Sequence, residues 1–171
     1  MHLYLGLGSN LGDRAANLWN AVAALSARGV RPRAVSPLYE TEPWGLTAQP
    51  RFLNAACAAE TDLEPLALLD ALKAIERALG RVPAVRNGPR TIDLDILLYG
   101  DVIVRTARLT IPHAGMLQRA SVLVPLADIA PDARHPVAGI TVTEALAQLA
   151  PVSGVAPYPP GLPSCAEESP A

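Results

Sequence analysis

The hydrophobic pattern of residues 2–99 switches between a period of two and a period near 3.6 in the order strand, helix, strand, strand, helix, strand, and that order most constrains the fold. Residues 2–8 alternate and run into the turn Ser9-Asn10-Leu11-Gly12. From Asp13 to about Ser26, Leu18, Val22 and Leu25 fall at i, i+4 and i+7 with Trp19 beside them, which predicts an amphipathic helix packed on a sheet. Residues 30–40 and 51–61 are strand-like, separated by a Pro/Gly-rich loop from Thr41 to Pro50. A second helix is predicted over 64–79, where Leu68, Leu72, Ile75 and Leu79 share a face and Gly80 stands where a C-terminal cap belongs. After a Gly/Pro/Arg loop, Arg81 to Arg90, Ile92 to Tyr99 reads as a strand, and Gly100-Asp101 as a hairpin turn into Val102-Ile103-Val104. The expected fold is α+β: a ferredoxin-like βαββαβ sandwich with an added C-terminal hairpin and short helices near 115–129 and 141–150. One domain, residues 1–150, should hold the core. Residues 151–171 carry six prolines and are expected to remain a flexible tail.

Charge narrows the partners. Fourteen basic against 16 acidic residues give a net charge of −2, so no basic field is available to hold a polyanion, which argues against nucleic acid. Thirteen of the 14 cations are Arg, Lys73 being the exception, and Arg favours bidentate phosphate contacts if several converge. No stretch approaches the ~20 apolar residues of a membrane span, and the N-terminus has no signal-peptide pattern. A cytoplasmic monomer without membrane contact is expected. Cys57 and Cys165 are too few for a four-ligand zinc site, and Cys57, in an Ala-rich run, reads as a small buried hydrophobe.

The chemistry is concentrated in Asn87-Gly88-Pro89-Arg90-Thr91-Ile92-Asp93-Leu94-Asp95-Ile96. On a strand, Asp93 and Asp95 share a face, about 6.7 Å apart, while Leu94 and Ile96 face apolar surroundings and hold the register. At that spacing two carboxylates repel by about 2 kcal/mol at an effective dielectric of ~20, so a cation belongs between them. Mg²⁺ fits, since it takes one or two carboxylates and completes its shell with substrate phosphates. A D-x-D pair on a strand is by itself often only solvated; the Arg-bearing loop before it points to a metal–phosphate site. A second motif, Gly6-Leu7-Gly8-Ser9-Asn10-Leu11-Gly12, superficially resembles a dinucleotide fingerprint, but its spacing is GxGxxxG and no acidic residue follows ~20 positions on. An NADP reading would need Arg31 or Arg33 on a 2′-phosphate, and βαββ is not a doubly wound order. The plainer reading of these glycines is a tight strand-to-helix turn.

The strings Leu7-Gly8-Ser9-Asn10-Leu11-Gly12-Asp13, Tyr39-Glu40-Thr41-Glu42-Pro43-Trp44-Gly45, Gln49-Pro50-Arg51-Phe52-Leu53-Asn54-Ala55, Gly88 to Ile96 and Leu109-Thr110-Ile111-Pro112-His113 resemble, in this order, the 6-hydroxymethyl-7,8-dihydropterin pyrophosphokinases of folate biosynthesis. The resemblance covers residues 1 to about 150. It implies transfer of pyrophosphate from ATP to the pterin hydroxymethyl group, with release of AMP. Asp93 and Asp95 would hold two Mg²⁺ ions and, with Arg81 and Arg90, form the catalytic group; Arg86 is a further cation for the triphosphate. Around ATP the resemblance places Glu76, Arg90, Ile96, Arg108, Thr110, His113 and Arg119. Around the pterin it places Thr41, Glu42, Pro43, Trp44, Phe52 and Asn54. An amide such as Asn54 both donates and accepts, as an aminopyrimidinone edge requires, and Phe52, two residues earlier on the same face, supplies a stacking ring.

Departures from the family pattern lie at Pro83, where many relatives carry Arg, at Asn87, where many carry Trp, and at Ser121, where Phe is common. They bear on closure of the 81–90 loop and on pterin affinity. Two other readings compete. A ferredoxin-like RNA-binding module would need exposed strand aromatics and a basic face. A metal-dependent nucleotide hydrolase would use the same carboxylates without needing Phe52 and Asn54.

Overall fold

Asp13 starts the first helix by accepting a hydrogen bond from the Ala16 N–H, and Pro65 opens the second at a position where its missing N–H is no loss. The computed structural model describes residues 1–159; the remainder of the expected tail, with Cys165, lies outside the described residues. The elements are β1 (His2–Ser9), α1 (Arg14–Leu25), β2 (Val30–Val35), β3 (Tyr39–Thr41), β4 (Phe52–Thr61), α2 (Pro65–Ala78), β5 (Asp93–Tyr99), β6 (Val104–Arg105), β7 (Thr110–Ile111), α3 (Ala120–Ile129), α4 (Val142–Gln148) and β8 (Val155–Pro157). The main sheet runs β5-β1-β4-β3-β8 and is antiparallel, with β2 also on β4. In chain order β1, α1, β2, β4, α2 and β5 give the ferredoxin-like sandwich, with β3 as an extra strand between β2 and β4 in the sequence.

The predicted strand over 30–40 is broken in two. Ser36 and Pro37 interrupt it, and the Ser36 hydroxyl accepts from the Ala56 N–H at 2.9 Å, so β2 pairs with the second half of β4 and β3 with the first. The hairpin is also displaced: Val104–Arg105 pairs with Thr110–Ile111 rather than folding back on β5. The larger correction concerns the tail. Residues 155–157 form β8 on the outer edge of β3, and the Tyr158 N–H donates to the Leu38 carbonyl at 2.9 Å. Prolines permit this because they stand at 157 and 159, whose N–H positions in the antiparallel alternation point away from β3.

Alternate residues divide the sheet into two faces. Leu3, Leu5 and Leu7 of β1, Leu53, Ala55 and Cys57 of β4, and Leu94 and Ile96 of β5 pack under α1 and α2. On the other face α3 and α4 cover only one end, over Ala56, Leu97 and Leu98. A bulge in β5, where Leu97 has no partner on β1, turns Leu97 and Leu98 to the same face.

Candidate active site

The end of the second face that α3 leaves open is floored by the glycines of β1. Gly8 stands between Asp93 and Asn54, and Gly6 between Asp95 and Ala56, so the two middle positions carry no side chain. A Cβ on Gly8 would lie 2.8 Å from the Asn54 Oδ1. These glycines therefore keep a trough open; within the motif only Gly12, at φ 69°, serves the turn. Two recesses meet over the trough. The larger, about 650 Å³, runs under Lys73, Arg81, Arg86 and His113. The smaller, about 60 Å³, is walled by Thr41, Glu42, Trp44, Phe52, Asn54 and Ser121. Asp93, Asp95, Arg90 and Arg119 line both.

The two carboxylates differ in their surroundings. Arg81 Nη1 lies 2.7 Å and Arg90 Nη2 3.1 Å from Asp93. Burial works to raise its pKa, but Arg90 and Arg81 outweigh burial and hold Asp93 below the usual carboxylate range. Asp95, 39% exposed, has His113 Nε2 at 3.8 Å. Its pKa is pushed up to about 7 by burial and by the charge of Asp93. Asp95 has no Arg or Lys within 4.0 Å among the described residues, and two hard oxygen donors on one face suit Mg²⁺ with phosphate oxygens in its remaining positions. His113 is placed by its N–H bond to the Leu97 carbonyl, 3.0 Å, at the bulge; burial and Arg119 hold its pKa below the ordinary value.

Beneath the larger recess, buried Glu76 accepts from the Leu94 N–H at 2.8 Å and pairs with Arg81 at 2.9 Å and Lys73 at 3.2 Å. In the smaller recess the Asn54 Nδ2 donates to the Thr41 hydroxyl, which fixes the amide's orientation. The Arg90 guanidinium lies over the Phe52 ring and that of Arg119 over the Trp44 ring, each at 4.9 Å. Arg119 has no carboxylate within 4.0 Å among the described residues, and its buried Nε has no hydrogen-bond partner.

Residues 4–131 match the family described as 7,8-dihydro-6-hydroxymethylpterin-pyrophosphokinase (HPPK). The chain belongs to this family. It is thus an enzyme of the pyrophosphokinase class. It is 54% identical over 153 residues, 89% of this chain and 95% of the relative, to the 2-amino-4-hydroxy-6-hydroxymethyldihydropteridine pyrophosphokinase of Methylorubrum extorquens. Identity to the protein of the same name from Pseudomonas aeruginosa is 50%, over 78% of this chain and 83% of that one. The wild-type HPPK-DHPS of Plasmodium falciparum superposes with a TM-score of 0.68 at 16% identity, over 86% of this chain and 44% of that longer one, a likeness of fold.

Most of the expected site residues of the enzyme converge. Asp93, Asp95, Arg81, Arg90, Glu76, His113 and Arg119 line the larger recess, and Thr41, Glu42, Trp44, Phe52 and Asn54 the smaller. Pro43 lines a neighbouring recess with Ser121. Three do not line the cleft: Ile96 is buried under the helices, Arg108 pairs with Asp70 on the surface, and Thr110 is exposed on β7. Sequence reasoning missed two residues. Lys73 reaches the cleft from one turn before Glu76, a spacing of i, i+3 on α2. Asn10, buried, joins three segments: its Nδ2 donates to Gln49 Oε1 and the Pro50 carbonyl, 2.9 Å each, and its Oδ1 accepts from the Arg90 N–H at 2.8 Å. A polar residue between two glycines at a strand end is the signal that marks it.

Proposed function

We propose that the enzyme transfers the pyrophosphoryl group of ATP to the hydroxymethyl oxygen of 6-hydroxymethyl-7,8-dihydropterin, with release of AMP, as a step of folate biosynthesis. The observation that carries this reading is the position of Asp93 and Asp95 at the junction of two recesses, one cationic and one built around an amide and an aromatic ring. A single-substrate nucleotide hydrolase has no use for the second recess. The hydroxyl oxygen attacks the β-phosphorus while the bond from that phosphorus to the α–β bridging oxygen breaks, so alignment and charge neutralisation are what the protein must supply. The larger recess takes the triphosphate, with Arg81, Arg90 and Arg119 for its oxygens. Arg119, with no carboxylate within 4.0 Å among the described residues, can take an anion without first exchanging a partner. Arg81 and Arg90 must exchange Asp93 for phosphate.

Asn54, oriented by Thr41, meets the pterin's polar edge, and Phe52 offers its ring once Arg90 moves to phosphate. Asp93 and Asp95 would hold two Mg²⁺, which when bound supply neutralisation of the phosphate charge. The test is incubation of protein, Mg²⁺, ATP and the pterin alcohol. AMP and pterin pyrophosphate in equal amounts are expected; ADP, or nucleotide hydrolysis independent of the pterin, would overturn the reading.

A further inference from the structure

β3 is three residues long, yet it carries Thr41 and leads directly into Glu42, Pro43 and Trp44. One edge pairs with β4, Thr41 opposite Phe52 and Tyr39 opposite Asn54. The other edge pairs with β8, Thr41 opposite Val155 and Tyr39 opposite Pro157. The pairing continues past both ends of β8: the Glu42 N–H donates to the Gly154 carbonyl at 3.1 Å, and the Tyr158 N–H to the Leu38 carbonyl at 2.9 Å. At the loop end Gly154 has φ +72°, and a Cβ there would stand 3.0 Å from Glu42 Oε2, so the Glu42 side chain lies directly against this segment. At the far end the Tyr158 ring packs on the helix-side core, with the Arg14 guanidinium 5.8 Å from its centroid. Arg14 in turn bonds Glu40 and the Arg51 carbonyl, 3.0 Å each. Pro151 to Val155 also form one side of a recess of about 280 Å³ whose other side is Glu42, Pro43, Trp44 and Ser121. Residues 151–158 themselves lie beyond the residues, 4–131, that match the family.

We infer that residues 154–158 act as a positioning strap: pairing with β3 from outside the slot, they set the Thr41–Trp44 wall and hence the affinity for the pterin. The inference rests on the reading of the smaller recess as the pterin slot. A three-residue strand with one neighbour has an open edge and a loop free at its end. With a neighbour on both edges, Thr41 is held where its hydroxyl meets the Asn54 amide, and Glu42 starts the loop from a fixed point. Loosening β3 releases Thr41, and the amide loses its orientation. The larger recess takes no residue from the strap, since its lining comes from α2, the 81–90 loop, β5, His113 and Arg119. The strap therefore acts on one substrate and not the other.

Two full-length variants test it. Ala156→Pro removes an N–H that the antiparallel alternation aims at β3, and Tyr158→Ala removes the ring at the far end. Binding of the pterin is titrated in the presence of a non-hydrolysable ATP analogue, and binding of the analogue is titrated alone. Both variants should weaken the pterin about tenfold, equivalent to about 1.4 kcal/mol, with the affinity for the analogue unchanged. Parent-like pterin affinity in variants that still melt cooperatively overturns the strap, and so does a parallel loss of both ligands, which marks a merely structural role. If Ala156→Pro does not fold, Tyr158→Ala decides alone. A parent protein that binds the analogue but no pterin removes the reading of the slot, a failure visible before either variant is made.

Discussion

The two faces of the central sheet are built from the same three strands and follow opposite rules. Toward α1 and α2, β1, β4 and β5 present Leu3, Leu5, Leu7, Leu53, Ala55, Cys57, Ala59, Leu94, Ile96 and Tyr99. Toward the open end, the alternate positions are Gly6, Gly8, Phe52, Asn54, Asp93 and Asp95. Apolar burial on one face sets the register, and because side chains alternate, it also fixes where the carboxylates and the amide stand. The covered face contributes stability and no chemistry; the open face gives up burial and accepts charge repulsion to hold a site.

Mutations should separate the two. The largest effect is expected at the carboxylates: Asp93→Ala or Asp95→Ala should lower turnover by about 10²–10³-fold or more, the scale for losing a group that stabilises developing charge. Circular dichroism should stay unchanged, and near-normal turnover in both would remove the carboxylates from the reaction. On the covered face, Leu94→Ala, between those two residues, should cost about 2–5 kcal/mol in denaturant unfolding while the folded fraction keeps most of its turnover. An equal loss of activity per folded molecule would show that the faces are not separable. Asn54→Ala should weaken pterin binding by about 1–3 kcal/mol, since the polar edge is left unpaired, with binding of an ATP analogue retained.

The smallest effect concerns pH. The pKa of Asp95 is raised to about 7, so the folded protein binds its proton more tightly than the unfolded chain does. This group's contribution is therefore greatest below about pH 4, its unfolded range, and is lost as pH rises through about 7. In metal-free protein Asp95→Asn should raise the melting temperature at pH 8 relative to pH 5. Discounted for the partial exposure of Asp95, the gain is about 1 kcal/mol or about 2–4 °C. Equal melting shifts at the two pH values would place the proton elsewhere.

The order of strands and helices was legible because its signals are local: Leu3, Leu5 and Leu7 alternate, and Leu68, Leu72 and Ile75 recur at helical spacing, whatever the rest of the chain does. The same holds for Asp93 with Asp95 and Phe52 with Asn54, each pair two residues apart on one strand. Asn10 was not legible as part of the site, because its role depends on partners 39 and 80 positions away. β8 was hidden for a related reason. Its prolines read as disorder until a partner strand decides which N–H groups matter, and that partner, β3, is itself too short to stand out.

The bulge at Leu97 makes β5 two devices in series. Up to Ile96 the alternation is in phase with β1 and presents acids to the open face; after Leu97 the phase is reset and Leu98 faces the α3 and α4 layer. The reset also turns a backbone carbonyl into the anchor for His113. A residue deleted from or added to this strand would thus be felt on one side of Leu97 as a lost site and on the other as a lost interlayer contact. The reacting half and the packing half of the strand can each accept substitutions without retuning the other, provided the spacing between them is kept.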